Sequence, residues 1–371
     1  MVSKLNQLRI ILVYKGDPFD LPPMMTIMDA LLELGHHIIV VYQEKDKNVG
    51  KFESLYENKD VEFIHFSPIP QGDDIKSKLY RYYRRDILFK KEVAKLLDSV
   101  NYDILWIIHE FTAILLKDVL KGRDYVMSIY ELRDTERNIL DGMTPTAQKA
   151  KVVIVPEYNR AHMLRHWMGL KDTPIVLPNK PYYHPGKRNI PCEFSSQFKD
   201  KKVILYQGHI SRDRNLEGIC QAVENLDGFK LVLMGSGDEF KNYLLSKYHN
   251  VNCIGFVNPP HHLDVTSWAY VAVVTYDYGS LNRLYCAANK TWEYGGFGIP
   301  MLANDIPGLA TSVGAYGAAE CVDMDNPTEI KEAIERIASD YDTYSKNALR
   351  YYNSCDVKAI IDKVVEFATK D

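Results

Sequence analysis

A chain of 371 residues, 46% apolar and 25% charged, has the composition of a soluble globular protein and the length of about two domains. A formal net charge of −4 argues against general nucleic-acid binding through phosphates, while leaving room for a local basic face. The six cysteines include no CxxC pair and no Cys/His group at zinc spacing, so they read as reduced thiols of a cytosolic protein, and no apolar run approaches the roughly 20 residues that span a bilayer.

The opening MVSKLNQLRIILVYKG carries only a short apolar run, and no signal peptide is expected. Leu8 to Tyr14 reads as a parallel strand buried on both faces, followed by a loop, a helix from Met24 to Leu34 and a strand from His36 to Tyr42. That succession opens a doubly wound domain, whose ligands bind at the carboxyl ends of the strands. It lacks GxGxxG, so no dinucleotide site is expected. Val61 to Phe66 is a third strand.

Asp74 to Val100 has the pattern of one long helix in which Lys76, Lys78, Arg81, Arg84, Arg85, Lys90 and Lys91 alternate with Leu79, Tyr80, Tyr82, Tyr83, Ile87, Leu88 and Phe89. Two readings stand. Residues 75–92 make a peripheral contact with an anionic membrane, or the helix is a solvated outer one packed on the sheet. Asp103 to Ile108 is a strand that delivers His109 and Glu110, and Tyr125 to Ile129 one that delivers Tyr130, Glu131 and Arg133. Further on come a strand ending at Pro156, a helix from Glu157 to Trp167, and PIVLPNKPYYHP, after which a polar run places a domain boundary near residues 185–200.

The second half begins with a strand from Lys202 to Tyr206, then GHISRDRN and a helix from Leu216 to Glu224. Leu231 to Met234 leads into Gly235-Ser236-Gly237-Asp238. Val251 to Val257 and Tyr270 to Thr275 are two more strands, the latter delivering Asp277 and Ser280. Asn289 to Gly308, NKTWEYGGFGIPMLANDIPG, reads as the close of a helix begun near Ser280, a glycine turn, a short apolar strand and a second turn. Gly295, Gly296 and Gly298 are expected at positive φ, where the backbone can approach a ligand. Glu293, at the end of that helix, offers an acceptor for sugar hydroxyls.

This signature resembles the C-terminal motif of family 4 retaining glycosyltransferases. The resemblance implies an α/β architecture of the GT-B type: two Rossmann-like, doubly wound domains facing each other across a cleft that holds the sugar nucleotide. Residues 1–190 would be the acceptor-side domain and 200–345 the nucleotide-sugar-binding domain. The segment 346–371 would cross back to the first domain, with the crossing at Ser345 to Ser354.

The resemblance also assigns roles. Glu293 would bind the ribose, within a motif that includes Asn289 and Lys290. Tyr285 stands where the family has a second Glu for the donor sugar. Gly208 and His209 occupy the Gly-Arg positions of the phosphate loop, and Arg214 the position of its Lys, with Arg212 a further cation. Fixed cations and amides there stabilise the charge of a departing diphosphate. Gly235 matches the family's Gly-x-Gly, Val257 the base pocket and Asn179 the end of the first domain. Tyr130 stands where the family places a His near the reaction centre, leaving His109 and Glu131 as the nearest substitutes.

The expected activity is therefore transfer of a hexose from a nucleotide-sugar donor to a sugar or lipid-linked sugar acceptor, with retention, in surface polysaccharide assembly. It would need no metal and no cofactor beyond the donor, and would run in the cytoplasm at the inner face of the membrane. Two alternatives share the fold: a nucleotide-sugar 2-epimerase using His109, Glu110 and Glu131, and a non-catalytic nucleotide-binding subunit, suggested by Tyr130 and Tyr285.

Overall fold

The computed structural model describes residues 7–45, 48–66, 75–186, 201–237, 239–258 and 261–370. They form two compact units, one of Met1–Tyr182 with Asp356–Asp371 and one of Tyr183–Cys355. Of the linker expected near 185–200, the part after residue 186 and before 201 lies outside the described residues, as does Asp238.

The first unit is built on β1 (Arg9–Val13), β2 (His37–Gln43), β3 (Val61–Phe66), β4 (Ile104–Ile108), β5 (Val126–Ser128), β6 (Val152–Val155) and β7 (Ile175–Val176). All pairs are parallel, in the order β3-β2-β1-β4-β5-β6-β7. The apolar runs form strands because a parallel sheet covered by helices buries both faces, and β4 is buried at every residue. Trp106 of β4 is fully buried, and its indole N–H donates to Ser128 Oγ of β5 at 2.8 Å. A satisfied bond of that kind contributes about 0.5–1.5 kcal/mol and fixes the two strands whose ends carry His109 and Tyr130.

The long helical pattern divides in two. Phe89–Ser99 buries Phe89, Val93 and Leu97 in the core of the unit. Before it, Ile75–Tyr82 runs into a π-helical segment, Tyr83–Leu88, on which Tyr82, Tyr83 and Ile87 are exposed, as is Leu79. The expectation of an outer helix packed on the sheet therefore holds for its second part and fails for its first. Among the described residues no helix is long and apolar enough to cross a membrane.

The second unit is built on β8 (Lys202–Gln207), β9 (Phe229–Met234), β10 (Val251–Gly255), β11 (Val271–Val274), β12 (Met301–Asn304) and β13 (Ala319–Val322). It is parallel too, ordered β10-β9-β8-β11-β12-β13. The strand order changes direction at β8, with β9 on one side and β11 on the other. That switch point opens the crevice where such sheets bind ligands.

Three local expectations are corrected. The helix before the glycines does not begin near Ser280: Leu281–Leu284 is a separate turn, and Asn289–Gly296 starts afresh. Gly295 and Gly296 are helical, and of the three glycines only Gly298 has positive φ, at 66°. The first two are small because of packing. A Cβ on Gly296 would lie 2.5 Å from the His184 ring, and one on Gly295 3.2 Å from the Ala348 carbonyl oxygen. Ala348 belongs to the helix Tyr341–Asn353, which packs on Asn289–Gly296 and stacks Tyr351 on Trp292 at 4.2 Å. The stretch 345–354 thus stays in the second unit. The helix that joins the first unit is Val357–Thr369, packed against Pro22–Glu33 with Lys358 Nζ 3.7 Å from Glu33.

Candidate functional site

At the carboxyl end of β8, Gly208 has φ 138°, and its N–H donates to Met234 O of β9. A Cβ on Gly235 would fall 1.7 Å from Gly208 O, so the loops after β8 and β9 meet backbone to backbone and only glycine fits there. The glycines the sequence marked are needed for this contact. They bring the backbone after β8 to the mouth of the switch point.

Four side chains converge beside it. Lys290, second in the helix Asn289–Gly296, donates from Nζ to Gln207 O at 2.8 Å and lies over the rings of Tyr206 (4.9 Å) and Tyr276 (5.7 Å). Arg214 lies over the other part of this aromatic floor, 5.1 Å from the Tyr276 ring centre, and its Nε is enclosed without a hydrogen-bond partner. Burial, then the neighbouring Arg214, push the Lys290 pKa down from 10.5 to about 8, with Glu293 acting the other way. Two crowded cations, neither in a salt bridge among the described residues, form a site that a diphosphate would complete.

Glu293 stands one turn beyond Lys290. It lies in mid-helix, where the sequence had suggested a helix end. Its Oε2 accepts from Gln207 Nε2 at 2.5 Å, and its Oε1 lies 3.3 Å from His262 Nε2. Burial raises its pKa, but the bonds from His262 and Gln207 and the charge of Lys290 outweigh burial and hold the carboxyl below its ordinary range. Gln207 is fixed in turn, its Oε1 accepting from Thr266 Oγ1 at 2.8 Å. The result is an ionised carboxylate held from two sides, with lone pairs left for further donors.

The remaining sequence candidates divide. His209 is exposed, and its carbonyl accepts from the Tyr206 hydroxyl at 2.7 Å. Arg212 turns to the rings of Phe240 (5.0 Å) and Tyr243 (5.7 Å) on the helix Glu239–Lys247. Asn289 opens the Lys290 helix, and Tyr285 closes the turn Leu281–Leu284. Val257 follows β10, half-buried beside the exposed Phe256. Asp277 is tied to Arg283 and to Gly279 N–H, while Ser280 caps Leu281–Leu284. Asn179 is half-buried beyond β7 in the first unit.

Sequence reasoning missed Gln207, His262, Tyr206 and Tyr276. Gln207 and Tyr276 flank the ends of β8 and β11, a position that alone could have drawn attention to them. His262 carries no such signal, because it reaches Glu293 from another helix.

In the first unit, His109 has φ 77°, unusual for a residue with a side chain, and its Nδ1 accepts from Phe111 N–H at 3.3 Å. In the neutral ring Nε2 then carries the proton. Burial is the main cause of its lowered pKa, against the pull of Glu110. The ring stacks between Phe111 (5.3 Å) and Tyr130 (6.1 Å). Burial pushes the Tyr130 phenol far above its usual range, so it is no base.

Glu110 is fully buried and clamped to Arg133 at 2.9 Å, which removes it as a free acid or base. Glu131 is half-buried, with its carboxylate 3.7 Å from Arg160. His109 and Tyr130 are thus brought together, whereas Glu131 pairs elsewhere.

Lys290 gives the pH behaviour of the site. Below about pH 8 it is charged and attracts phosphate; above, it is neutral. Diphosphate affinity is expected to fall by up to about tenfold per pH unit above that point. The folded pKa lies below the unfolded one, so the same ionisation costs stability at lower pH, relieved as pH rises from about 8 to 10.5. Calorimetry from pH 7 to about 9.5 checks this. A flat profile in the wild type, equal to that of Lys290→Met, would remove the lysine from the site.

Residues 192–353, within the second unit, match the family model described as Glycosyl transferases group 1. No curated protein matches the chain. Among solved structures the chain is similar to HepE of Anabaena in complex with UDP and glucose, at 14% identity and TM-score 0.71 over 97% of this chain and 99% of that one. It is similar also to sucrose-phosphate synthase from Thermosynechococcus elongatus, at 17% identity and TM-score 0.72 over 97% and 98%. A protein of Listeria monocytogenes described as a UDP-N-acetylglucosamine 2-epimerase follows at 13% identity and TM-score 0.59 over 97% and 95%. At these identities the likeness is one of fold. The chain has the GT-B fold, with two parallel-sheet α/β units.

Proposed function

We propose that this chain is a glycosyltransferase that moves a sugar from a nucleotide-sugar donor to a hydroxyl acceptor. The observation that carries the reading is the Arg214–Lys290–Glu293 group at the switch point of the second unit. In the HepE complexes the bound ligands are UDP with glucose and UDP-glucose, which supports a nucleoside diphosphate sugar here. Arg214 and Lys290 would hold the diphosphate and stabilise its charge as it leaves, so that no metal is required for transfer. Glu293 would accept from the ribose hydroxyls. Retention at the anomeric carbon is part of the proposal, with assistance from the leaving group on the same face. Neutral His109, donating from Nε2, would orient a hydroxyl of the acceptor.

The setting proposed is surface polysaccharide assembly at the inner face of the membrane. Leu79, Tyr82, Tyr83 and Ile87 are exposed beside exposed Lys76, Lys78, Arg85 and Lys91, the make-up of a segment that lies on anionic lipid. Co-sedimentation with phosphatidylserine vesicles is expected at low salt and should drop when Leu79, Tyr83 and Ile87 are changed together to serine. Equal sedimentation of the two proteins would remove the membrane from the reading.

Product analysis tests the activity itself. Incubated with UDP-glucose and other nucleotide sugars, the protein should release nucleoside diphosphate in step with a glycosylated product only when an acceptor pool of membrane lipids is present. Conversion of the donor to its epimer without acceptor would mean a 2-epimerase instead.

A further inference from the structure

The carboxyl ends of β2 and β3 gather three groups that no step of the proposed transfer uses. Glu44 directly follows β2, His65 lies in β3, and Glu53 comes from the helix Lys51–Ser54. One ligand atom of each lies within 4.8 Å of the other two. Glu44 is 2% exposed. Its Oε1 accepts from the Tyr42 hydroxyl at 3.0 Å and from Gly50 N–H at 3.2 Å, while its Oε2 is enclosed with no hydrogen-bond partner. Glu53 Oε1 lies 3.3 Å from the same Tyr42 hydroxyl and 2.7 Å from His65 Nδ1.

The donors do not balance the acceptors. Tyr42 has one hydroxyl proton and two carboxylates within reach, so it satisfies one of them. Among the described residues no lysine or arginine pairs with Glu44 or Glu53, and the only cation at hand is His65 when protonated.

We propose that Glu44, Glu53 and His65 bind a divalent transition-metal ion. Two carboxylates and an imidazole are the N,O donor set such ions prefer. Bonds of about 2.0–2.2 Å place the ligand atoms of a tetrahedral centre roughly 3–3.5 Å apart, so ligand atoms that lie within 4.8 Å of one another would draw together around the ion. The ion takes up the free lone pairs of Glu44 Oε2 and cancels the paired negative charges. His65 supplies Nδ1 once the proton shared with Glu53 has moved to Nε2 of the neutral ring, or has left the imidazolium. Binding therefore weakens in acid. The ion would tie the chain after β2 to the helix Lys51–Ser54 and to β3, with the Tyr42 hydroxyl as its outer partner. The site belongs to the first unit and the proposed donor site to the second, so the two readings stand or fall separately.

Metal-free, untagged full-length protein titrated with Zn2+, and separately with Co2+, tests this. One ion per chain is expected, with a rise in Tm and, for Co2+, visible d–d absorption. Glu44→Gln and His65→Ala should each lower affinity by at least the roughly 10- to 100-fold that loss of an outer-shell partner costs. Glu62→Gln, on an exposed carboxylate of the same strand, should not. Melting curves without metal show which variants keep the fold, and Glu53→Gln replaces any that does not. Absence of saturable one-to-one binding would overturn the site, as would equal affinity in the wild type and the Glu44 and His65 variants.

Discussion

Arg214→Ala is expected to weaken nucleoside diphosphate binding about 10- to 150-fold while leaving the free nucleoside nearly unaffected, because a charge-assisted hydrogen bond contributes roughly 1.5–3 kcal/mol. The guanidinium lies over Tyr276 with its Nε enclosed and unpaired, so that donor is left for a ligand. Its removal also takes a positive neighbour from Lys290 and should raise that lysine's pKa. The two effects partly offset each other, and the fall in diphosphate affinity with pH should begin at a higher pH in the variant than in the wild type. Calorimetry with a diphosphate and its nucleoside separates the cases. Equal losses for both would mean that Arg214 supports the fold or the base pocket.

The second large effect concerns Glu293. Glu293→Ala removes the acceptor proposed for two adjacent ribose hydroxyls and leaves Gln207 Nε2 and His262 Nε2 without their partner. Unpaired buried polar groups cost roughly 1–3 kcal/mol, so donor affinity should drop about 5- to 150-fold, and stability should drop as well. Glu293→Gln keeps one acceptor and should lose less of both. A donor with 2′-deoxyribose separates recognition from support. The wild type should bind it more weakly than the ribose form, whereas the alanine variant should hardly distinguish the two. If that variant keeps the full preference, Glu293 does not read the ribose.

Much of the fold was legible because its strands are buried on both faces. Runs such as Leu8 to Tyr14 and Leu231 to Met234 need no partner in sequence to be recognised. Arg214, Lys290 and Glu293 could be named because short motifs of fixed spacing carry them.

The partners of those residues could not be read. Gln207, His262 and Tyr276 meet Glu293, Lys290 and Arg214 only through the folding of separate strands and helices, and sequence distance hides such contacts. The glycines after Glu293 show the same limit. A glycine that lets the backbone turn and a glycine that lets two helices touch look alike until the neighbour is known. Gly295 proved to be of the second kind, and Gly296 makes room for the His184 ring. The returning helix was misplaced for a related reason: 345–354 and 357–369 both have helical periodicity, and only packing on Asn289–Gly296 or on Pro22–Glu33 tells them apart. In the first unit, Glu110 gave no sign in sequence that its carboxylate would be spent on Arg133.

The most direct measurement is calorimetric titration of the full-length protein with UDP, GDP and ADP, each beside its monophosphate and nucleoside. One diphosphate should bind one to one, more tightly than its monophosphate and far more tightly than its nucleoside, with the preference reduced in Arg214→Ala. No binding by any of the three, or binding unchanged in both Arg214→Ala and Glu293→Ala, would contradict a nucleoside diphosphate site in the second unit.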